Sequence, residues 1–285
     1  MTNSYRRRFM ICAAAGLLVS GLLVSNGSAA HSWENYHWAR TTPTFTLQIG
    51  NNLSGHWRAY LHEASSDWNS PEQFGAKSTP ILTAVVAGRA RDKNCSMVTG
   101  TAQVCDDKYG ENGWLGLATI DIVDGDHIIQ GSAMLNNTYF NTDTYNNPNQ
   151  RLHVMCQEIA HIFGLDHQSE DGSSQNSCMD YFSNTGANAK NPISTRPNRH
   201  DFEHLTEIYE HLDSTTTLSS GRSRRRLRDI LGLTDPNSWG MLKRQSRNGR
   251  KSTYEAYNLD GSKTVTHVYW TREAAADCPS CDHRH

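Results

Sequence analysis

One short stretch of the chain combines side chains that could hold a metal ion and move a proton. Over residues 156–167 it reads Cys-Gln-Glu-Ile-Ala-His-Ile-Phe-Gly-Leu-Asp-His. Gln157 and His161 are four residues apart and share one face of a helix, with Glu158 beside them. Gly164 allows the chain to turn back sharply, which can bring His167 to the same point in space as His161. Three ligands with a fourth position left for water describe a catalytic zinc site.

The pattern resembles the zinc signature of the metzincin metalloproteases: two ligands four residues apart, a glutamate after the first, a glycine and a third histidine. The resemblance implies that Gln157, His161 and His167 hold Zn²⁺ and that Glu158 is the general base. Gln157 stands where the signature has its first histidine, and an amide oxygen is a poorer zinc ligand than imidazole. The short spacing is most similar to that of the matrixins.

A methionine downstream of the zinc helix extends the resemblance. Met179, in Cys-Met-Asp-Tyr, fits the turn that lies beneath the metal in metzincins. Tyr181, two residues later, is similar to the astacin and serralysin arrangement, which implies a catalytic role close to zinc. His153 could replace the missing histidine, but it lies about 12 Å from His161 along a helix, so we expect it at the surface.

The resemblance implies a secreted zinc-dependent endopeptidase that hydrolyses peptide bonds through a water on the metal, with Glu158 taking its proton. The expected partner is a protein or peptide substrate, aligned by edge pairing with the strand near 127–135. The alternative is a catalytically impaired, metzincin-like pseudo-protease that acts as an extracellular binding or structural protein. Gln157 favours the alternative, whereas retention of Glu158 argues against it.

Periodicity predicts the elements that position these residues. Strands are expected at 43–49, 82–86, 114–122, 127–135, 253–257 and 264–270. Helices are expected after Ser54, at 150–163 and at 202–212. The fold class is therefore α+β. The resemblance adds a metzincin-like catalytic domain with a twisted mixed sheet, a zinc helix, a Met-turn and a C-terminal helix.

Shifts in composition divide the chain. We predict a signal peptide over 1–30, a metalloprotease-like domain over 31–213, a linker over 214–226 and a small β-rich C-terminal appendage over 227–285. The linker is rich in Ser and Thr and then in Arg. The appendage contains the two strands that flank an Asp-Gly turn.

The N-terminus has the pattern of an export signal. Three arginines precede an apolar run from Met10 to Val24, and a small-residue cleavage site, Ser-Ala-Ala, ends at Ala30. The arginines resemble a twin-arginine signal. The apolar run is shorter than the roughly 20 residues of a membrane span, so we expect no stable membrane anchor after signal cleavage. The expected location is secreted, extracellular or periplasmic.

Cysteine use agrees with export, because the cysteines beyond the signal form an even set. Proximity favours two disulfides, Cys95–Cys105 and Cys156–Cys178. Cys278 and Cys281, in Cys-Pro-Ser-Cys, either close on each other or remain reduced.

Net charge and acidic residues bound the other partners. The formal net charge of -2 gives no case for a nucleic-acid surface. Asp121, Asp124 and Asp126 could bind Ca²⁺, although a hairpin turn explains these residues equally well.

Overall fold

The computed structural model describes residue 1 and residues 33–88, 92–218 and 233–284. The predicted signal peptide, apart from residue 1, lies outside these residues, and so does the predicted linker from residue 219 onward.

Nine strands of the described residues form one mixed sheet. They are β1 (His37–Trp38), β2 (Phe45–Asn52), β3 (Ile81–Ala87), β4 (Ala102–Asp107), β5 (Trp114–Val123), β6 (His127–Asn136), β7 (Met241–Gln245), β8 (Lys251–Tyr257) and β9 (Lys263–Trp270). The order is β3-β2-β4-β6-β5-β9-β8-β7, and β1 pairs separately with β6. Strands β2, β3, β4 and β6 run parallel to their neighbours in this group, whereas β5, β9, β8 and β7 join antiparallel.

Five α-helices accompany the sheet in the part of the chain that the structure describes. They are α1 (Trp57–Trp68), α2 (Asn137–Phe140), α3 (Pro148–Ile162), α4 (Arg199–Ile208) and α5 (Arg272–Asp277). The α+β class predicted from periodicity is confirmed. The sequence did not predict β1, β4, β7, α2 or α5.

Local sequence explains where the two helices nearest the site begin. The Asn147 side chain accepts a hydrogen bond from the Gln150 amide and caps α3, whose first residue is Pro148. Asn198 and Asp201 form a capping box at the start of α4. Ser54 does not cap α1 as expected from the sequence, because its hydroxyl donates to Asp106 instead.

The C-terminal strands continue the main sheet, which differs from the separate appendage predicted from composition. β9 pairs antiparallel with β5 from Trp114↔Trp270 to Ile122↔Lys263. The buried apolar residues form a main core cluster, which includes those of α3, and a second hydrophobic cluster. The second hydrophobic cluster joins the two regions on one face of the sheet, with Trp114 and Leu117 of β5 buried against Val268 and Trp270 of β9. The residues after the predicted linker therefore share a core with the residues before it.

The strand expected to align a substrate by edge pairing is not at an edge. β6 lies between β4 and β5, and it also pairs with β1. The second side of β5 is occupied by β9. The outermost strands are β3 and β7.

Three disulfides join the six cysteines that follow the predicted signal. Cys95–Cys105 and Cys156–Cys178 form as proximity predicted. Cys278 and Cys281 close on each other, which resolves the alternative left open by the sequence. Three disulfides are compatible with an oxidising compartment.

The Cys156–Cys178 bridge should stabilise the fold measurably, because it closes a loop with a sequence separation of 22. Chain entropy gives about 3 kcal/mol for such a loop. We expect Cys156→Ala/Cys178→Ala to lower the free energy of unfolding by this amount in a urea titration. The matched control is Cys278→Ala/Cys281→Ala, whose loop has a separation of only 3 and should cost less. Equal losses for the two pairs would contradict the loop-length argument.

Candidate metal centre

Three histidines converge inside the fold, two from the sequence motif and one from β9. The ring centroids of His161 and His267 are 4.0 Å apart, and His167 is 4.6 Å from each. Their ligand atoms all lie within 4.8 Å of one another. Zinc binds imidazole nitrogen at about 2.0–2.1 Å, and these three imidazoles are the candidate ligand set.

The orientation of two of these rings is set by their second nitrogen atoms. Nδ1 of His161 lies 2.8 Å from the carbonyl oxygen of Leu165, which can only accept, so Nδ1 carries the proton. Nδ1 of His167 lies 3.3 Å from the Asp166 carboxylate. In both rings Nε2 is buried and has no hydrogen-bond partner among the described residues. Zinc-binding histidines have this arrangement, with one nitrogen held by an oxygen and the other free for the metal.

Burial keeps all three rings neutral, as metal ligands must be. It lowers the pKa of His161 to about 4 and the pKa values of His167 and His267 well below the ordinary value. Both ring nitrogens of His267 are buried with no hydrogen-bond partner in the described structure. These unpaired nitrogens are costly unless a ligand satisfies them, and the three-imidazole set fits Zn²⁺.

The carboxylate that lies near Nδ1 of His167 belongs to a buried ion pair. Asp166 accepts from Lys251 of β8, and Arg244 of β7 lies 2.9 Å from its other oxygen. Burial alone would raise the pKa of Asp166, but Lys251, His167 and His267 together outweigh burial and hold this pKa well below its usual range. The carboxylate that orients His167 is thus kept ionised by the C-terminal strands.

Gly164 makes the turn that separates the two histidines of the motif. Its φ is +97°, a value that glycine adopts without strain. The amide of Leu165 then returns to the carbonyl oxygen of Ala160 at 3.3 Å. A Cβ atom at Gly164 would collide with the carbonyl oxygen of Tyr36, so the position also requires close backbone approach.

Comparison of two glycines of nearly equal φ separates the cost of a positive φ from the cost of a close backbone contact. Gly125 has φ +98° and no atom within 4 Å of the place that a Cβ would occupy, whereas a Cβ at Gly164 would meet the backbone of Tyr36. We expect Gly125→Ala to cost about 1–2 kcal/mol of unfolding free energy, from φ alone. Gly164→Ala should cost about 1–3 kcal/mol more, because a backbone neighbour must shift. Urea unfolding of the two variants measures the difference, and equal costs would refute the close-approach argument.

Glu158 precedes His161 by three residues on α3, and its carboxyl group faces β5. Both carboxyl oxygens are buried with no hydrogen-bond partner among the residues described. Burial raises the pKa of Glu158 well above its usual value. Gly116 of β5 makes room for the carboxyl group, because a Cβ there would collide with Glu158 Oε1.

The amide nitrogen of Gln157 is engaged elsewhere than on a metal. Gln157 Nε2 donates to the carbonyl oxygens of Cys178 at 2.8 Å and of Asp180 at 3.1 Å. These two hydrogen bonds join α3 to the residues on either side of Met179. The oxygen Oε1 is buried, with no hydrogen-bond partner in the described residues. The third imidazole of the cluster is that of His267.

Two aromatic rings cover the histidines. Tyr181 stacks on His167 with 4.2 Å between centroids, and its hydroxyl is buried without a hydrogen-bond partner among the described atoms. Burial raises the pKa of Tyr181 well above its usual value. Trp33 stacks on His161 with the two planes 2° apart. Met179 is fully buried in the main core cluster, which also contains the buried apolar residues of α3.

The structure also places His153 and the aspartates suggested for Ca²⁺. His153 is fully buried, which contradicts its expected surface position. Asp121 is buried and accepts from Gln130, whereas Asp124 lies in the turn before β6. Within the described residues, the groups of His, Cys, Asp and Glu that could hold a metal do not include the three aspartates suggested for Ca²⁺.

The sequence reasoning missed His267, although a signal for it was present. Val265, His267 and Tyr269 alternate along β9 and share one face. Val265 and Tyr269 belong to the same core cluster as the zinc helix. A histidine between two inward-facing apolar residues was thus a ligand candidate.

No protein-family model matches the chain, and no curated protein compared with it shows detectable similarity. Among the described residues, no helix is both long enough and apolar enough to cross a membrane.

Proposed function

We propose that the protein is an exported, zinc-dependent endopeptidase whose metal is held by His161, His167 and His267. One observation carries the proposal: three buried imidazoles with unpartnered nitrogens converge, and the helix that supplies His161 also carries the buried, unpartnered carboxyl group of Glu158. A purely structural metal site needs no such carboxyl group, and burying it without a partner is unfavourable. A general base in a metal-assisted hydrolysis accounts for it.

Each residue has a chemical task in this proposal. Zinc, when bound, polarises the scissile carbonyl group and lowers the pKa of water. Glu158 takes a proton from the attacking water and delivers it to the leaving nitrogen. Burial raises the pKa of its carboxyl group, which favours the protonated form that the delivery step requires. Tyr181 offers a hydroxyl group that can donate to the developing oxyanion. Gln157 holds the Met179 turn in place.

Enclosure of the centre favours a second candidate, a metal-binding extracellular protein that cleaves nothing. The three histidines, Glu158 and Tyr181 are all buried. β9 occupies the side of β5 on which an extended peptide could pair. A substrate therefore reaches the centre only if a covering group moves, and Trp33 is one such group.

Metal analysis and a cleavage assay separate the two candidates. The protein is purified without added metal, its zinc is measured by mass spectrometry, and casein cleavage is followed with and without 1,10-phenanthroline. The endopeptidase predicts bound zinc and cleavage that stops with the chelator and returns with added zinc. Bound zinc without cleavage supports the second candidate. Absence of zinc binding refutes both.

A further inference from the structure

A second group of histidines lies outside the buried centre, where the start of the sheet meets the chain that follows α4. His37 belongs to β1, and His127 is its register partner at the start of β6. His211 and Asp213 follow α4 directly. The Asp213 amide donates to the carbonyl oxygen of Arg40 at 2.8 Å, so the two segments are also joined through their backbones.

Three ligand atoms of this group are spaced as around one small cation. His37 Nε2 lies 3.4 Å from Asp213 Oδ1, and His211 Nε2 lies 3.6 Å from the same oxygen. The two Nε2 atoms are 3.2 Å apart. Bonds of about 2.0–2.2 Å at tetrahedral angles place zinc ligands about 3.4 Å from one another. All three separations agree with this value.

The proton on His37 explains why a cation fits here. Nδ1 of His37 lies 2.8 Å from the carbonyl oxygen of Asn35, which can only accept, so Nδ1 is the donor. In the neutral ring, Nε2 then carries a lone pair, which faces the Asp213 carboxylate and the nitrogen of His211. Nε2 of His211 either donates a hydrogen to this lone pair or presents a lone pair of its own, and in the second case a cation between the two nitrogens removes their repulsion. A carbonyl on one nitrogen and a metal on the other is the usual environment of a ligating histidine.

His211 is the most exposed member of the group. The side chains of His37 and Asp213 are 2% and 8% exposed, whereas that of His211 is 51% exposed. The second oxygen of Asp213 accepts from the amide of Arg40 at 2.8 Å, which fixes the carboxylate. His127 Nε2 is 3.3 Å from Asp213 Oδ1 and orients the same oxygen from another side.

We propose that His37, His211 and Asp213 form a second metal site, for zinc or a similar divalent transition ion, with water in the fourth position. Two imidazoles and one carboxylate are ligands that zinc accepts. The ion would fasten β1 to the chain after α4, at a place independent of the buried centre and of catalysis.

Metal stoichiometry tests the proposal. The metal-free protein is titrated with zinc against a chromophoric competitor, and bound metal is counted by mass spectrometry after gel filtration. Wild-type protein should bind two equivalents. His211→Ala, at a half-exposed position, should remove one equivalent or weaken it by at least about tenfold. Asp213→Asn should do the same while it keeps an acceptor for the Arg40 amide. His62→Ala, at an exposed position outside the group, is the matched control and should change nothing.

Direct hydrogen bonds among His37, His211 and Asp213 are the competing explanation of the short distances, and the zinc titration separates them from a metal site. If His211→Ala and wild type bind the same amount of zinc with the same affinity, the site is overturned. If the wild type binds a single equivalent, the variants decide which site holds it. Loss in His211→Ala supports the second site, whereas loss in His267→Ala alone assigns the ion to the buried centre and overturns the second site. Thermal melting of each variant confirms that it remains folded.

Discussion

Replacement of His267 by alanine should weaken zinc binding at the buried centre by more than about 100-fold. Changes to groups that merely orient a ligand cost about 10–100-fold, and loss of a ligand itself costs more. The measurement is a competitive zinc titration at one pH, because histidine ligands bind only when deprotonated. Val268→Ala is the matched control, since Val268 is buried on the opposite face of β9 in the second hydrophobic cluster.

The control distinguishes a lost ligand from a loosened strand. Val268→Ala weakens the packing of β9 without touching an imidazole, so its zinc affinity should remain close to that of the wild type. Equal losses in both variants would mean that His267 acts only by holding β9 against β5. In that case the set of three histidines is wrong.

A histidine at position 157 should partly restore the site. Position 157 lies one helical turn before His161 and on the same face, so Gln157→His in the His267→Ala background supplies a third imidazole again. Restoration should be incomplete, because the Gln157 amide that donates to Cys178 and Asp180 is lost. A double variant that binds zinc no better than His267→Ala would limit the role of Gln157 to the turn.

Glu158→Gln should reduce peptide cleavage by about 10²–10⁴-fold, the usual contribution of a general acid or base. Zinc content should stay the same, because Glu158 is not among the clustered ligands. Initial rates of casein cleavage and metal analysis of one preparation give both quantities. Glutamine has nearly the shape of glutamate, so the variant leaves no cavity.

The stability of the variant separates a catalytic from a structural role of Glu158. The carboxyl oxygens have no hydrogen-bond partner within the described structure, so Glu158→Gln should not lower the free energy of unfolding. Lower stability together with unchanged cleavage would remove Glu158 from the mechanism. Glu158→Ala extends the test, because it also removes the amide that could bind water in place of the carboxylate.

The local parts of the candidate site could be predicted from the sequence because helical spacing fixes them. Gln157, Glu158 and His161 lie on one helix, and Gly164 marks its end. The strands with alternating patterns were also predictable, since alternation reports one buried face. β4 was missed because it is only six residues long and ends in two aspartates, a residue type that is uncommon in strands.

The third ligand could not be placed because pairing between strands distant in sequence leaves little trace in either strand. The Arg-rich composition before residue 233 indicated a domain boundary, and β8 and β9 therefore looked like an independent hairpin. The pairing of β9 with β5 is made by backbone hydrogen bonds, which any side chains can accompany. Only the inward-facing position of His267 carried information about the site.

The position of β9 near the end of the chain sets an order in time. His161 and His167 leave the ribosome about 100 residues ahead of His267. At about 5–20 residues per second, that gap lasts about 5–20 seconds. During this interval His161 and His167 exist without His267, so an ion that needs all three imidazoles would be bound tightly only after β9 has docked. In the proposed site, an ion held by all three histidines would bind only when β9 is paired with β5 and would thereby stabilise that pairing.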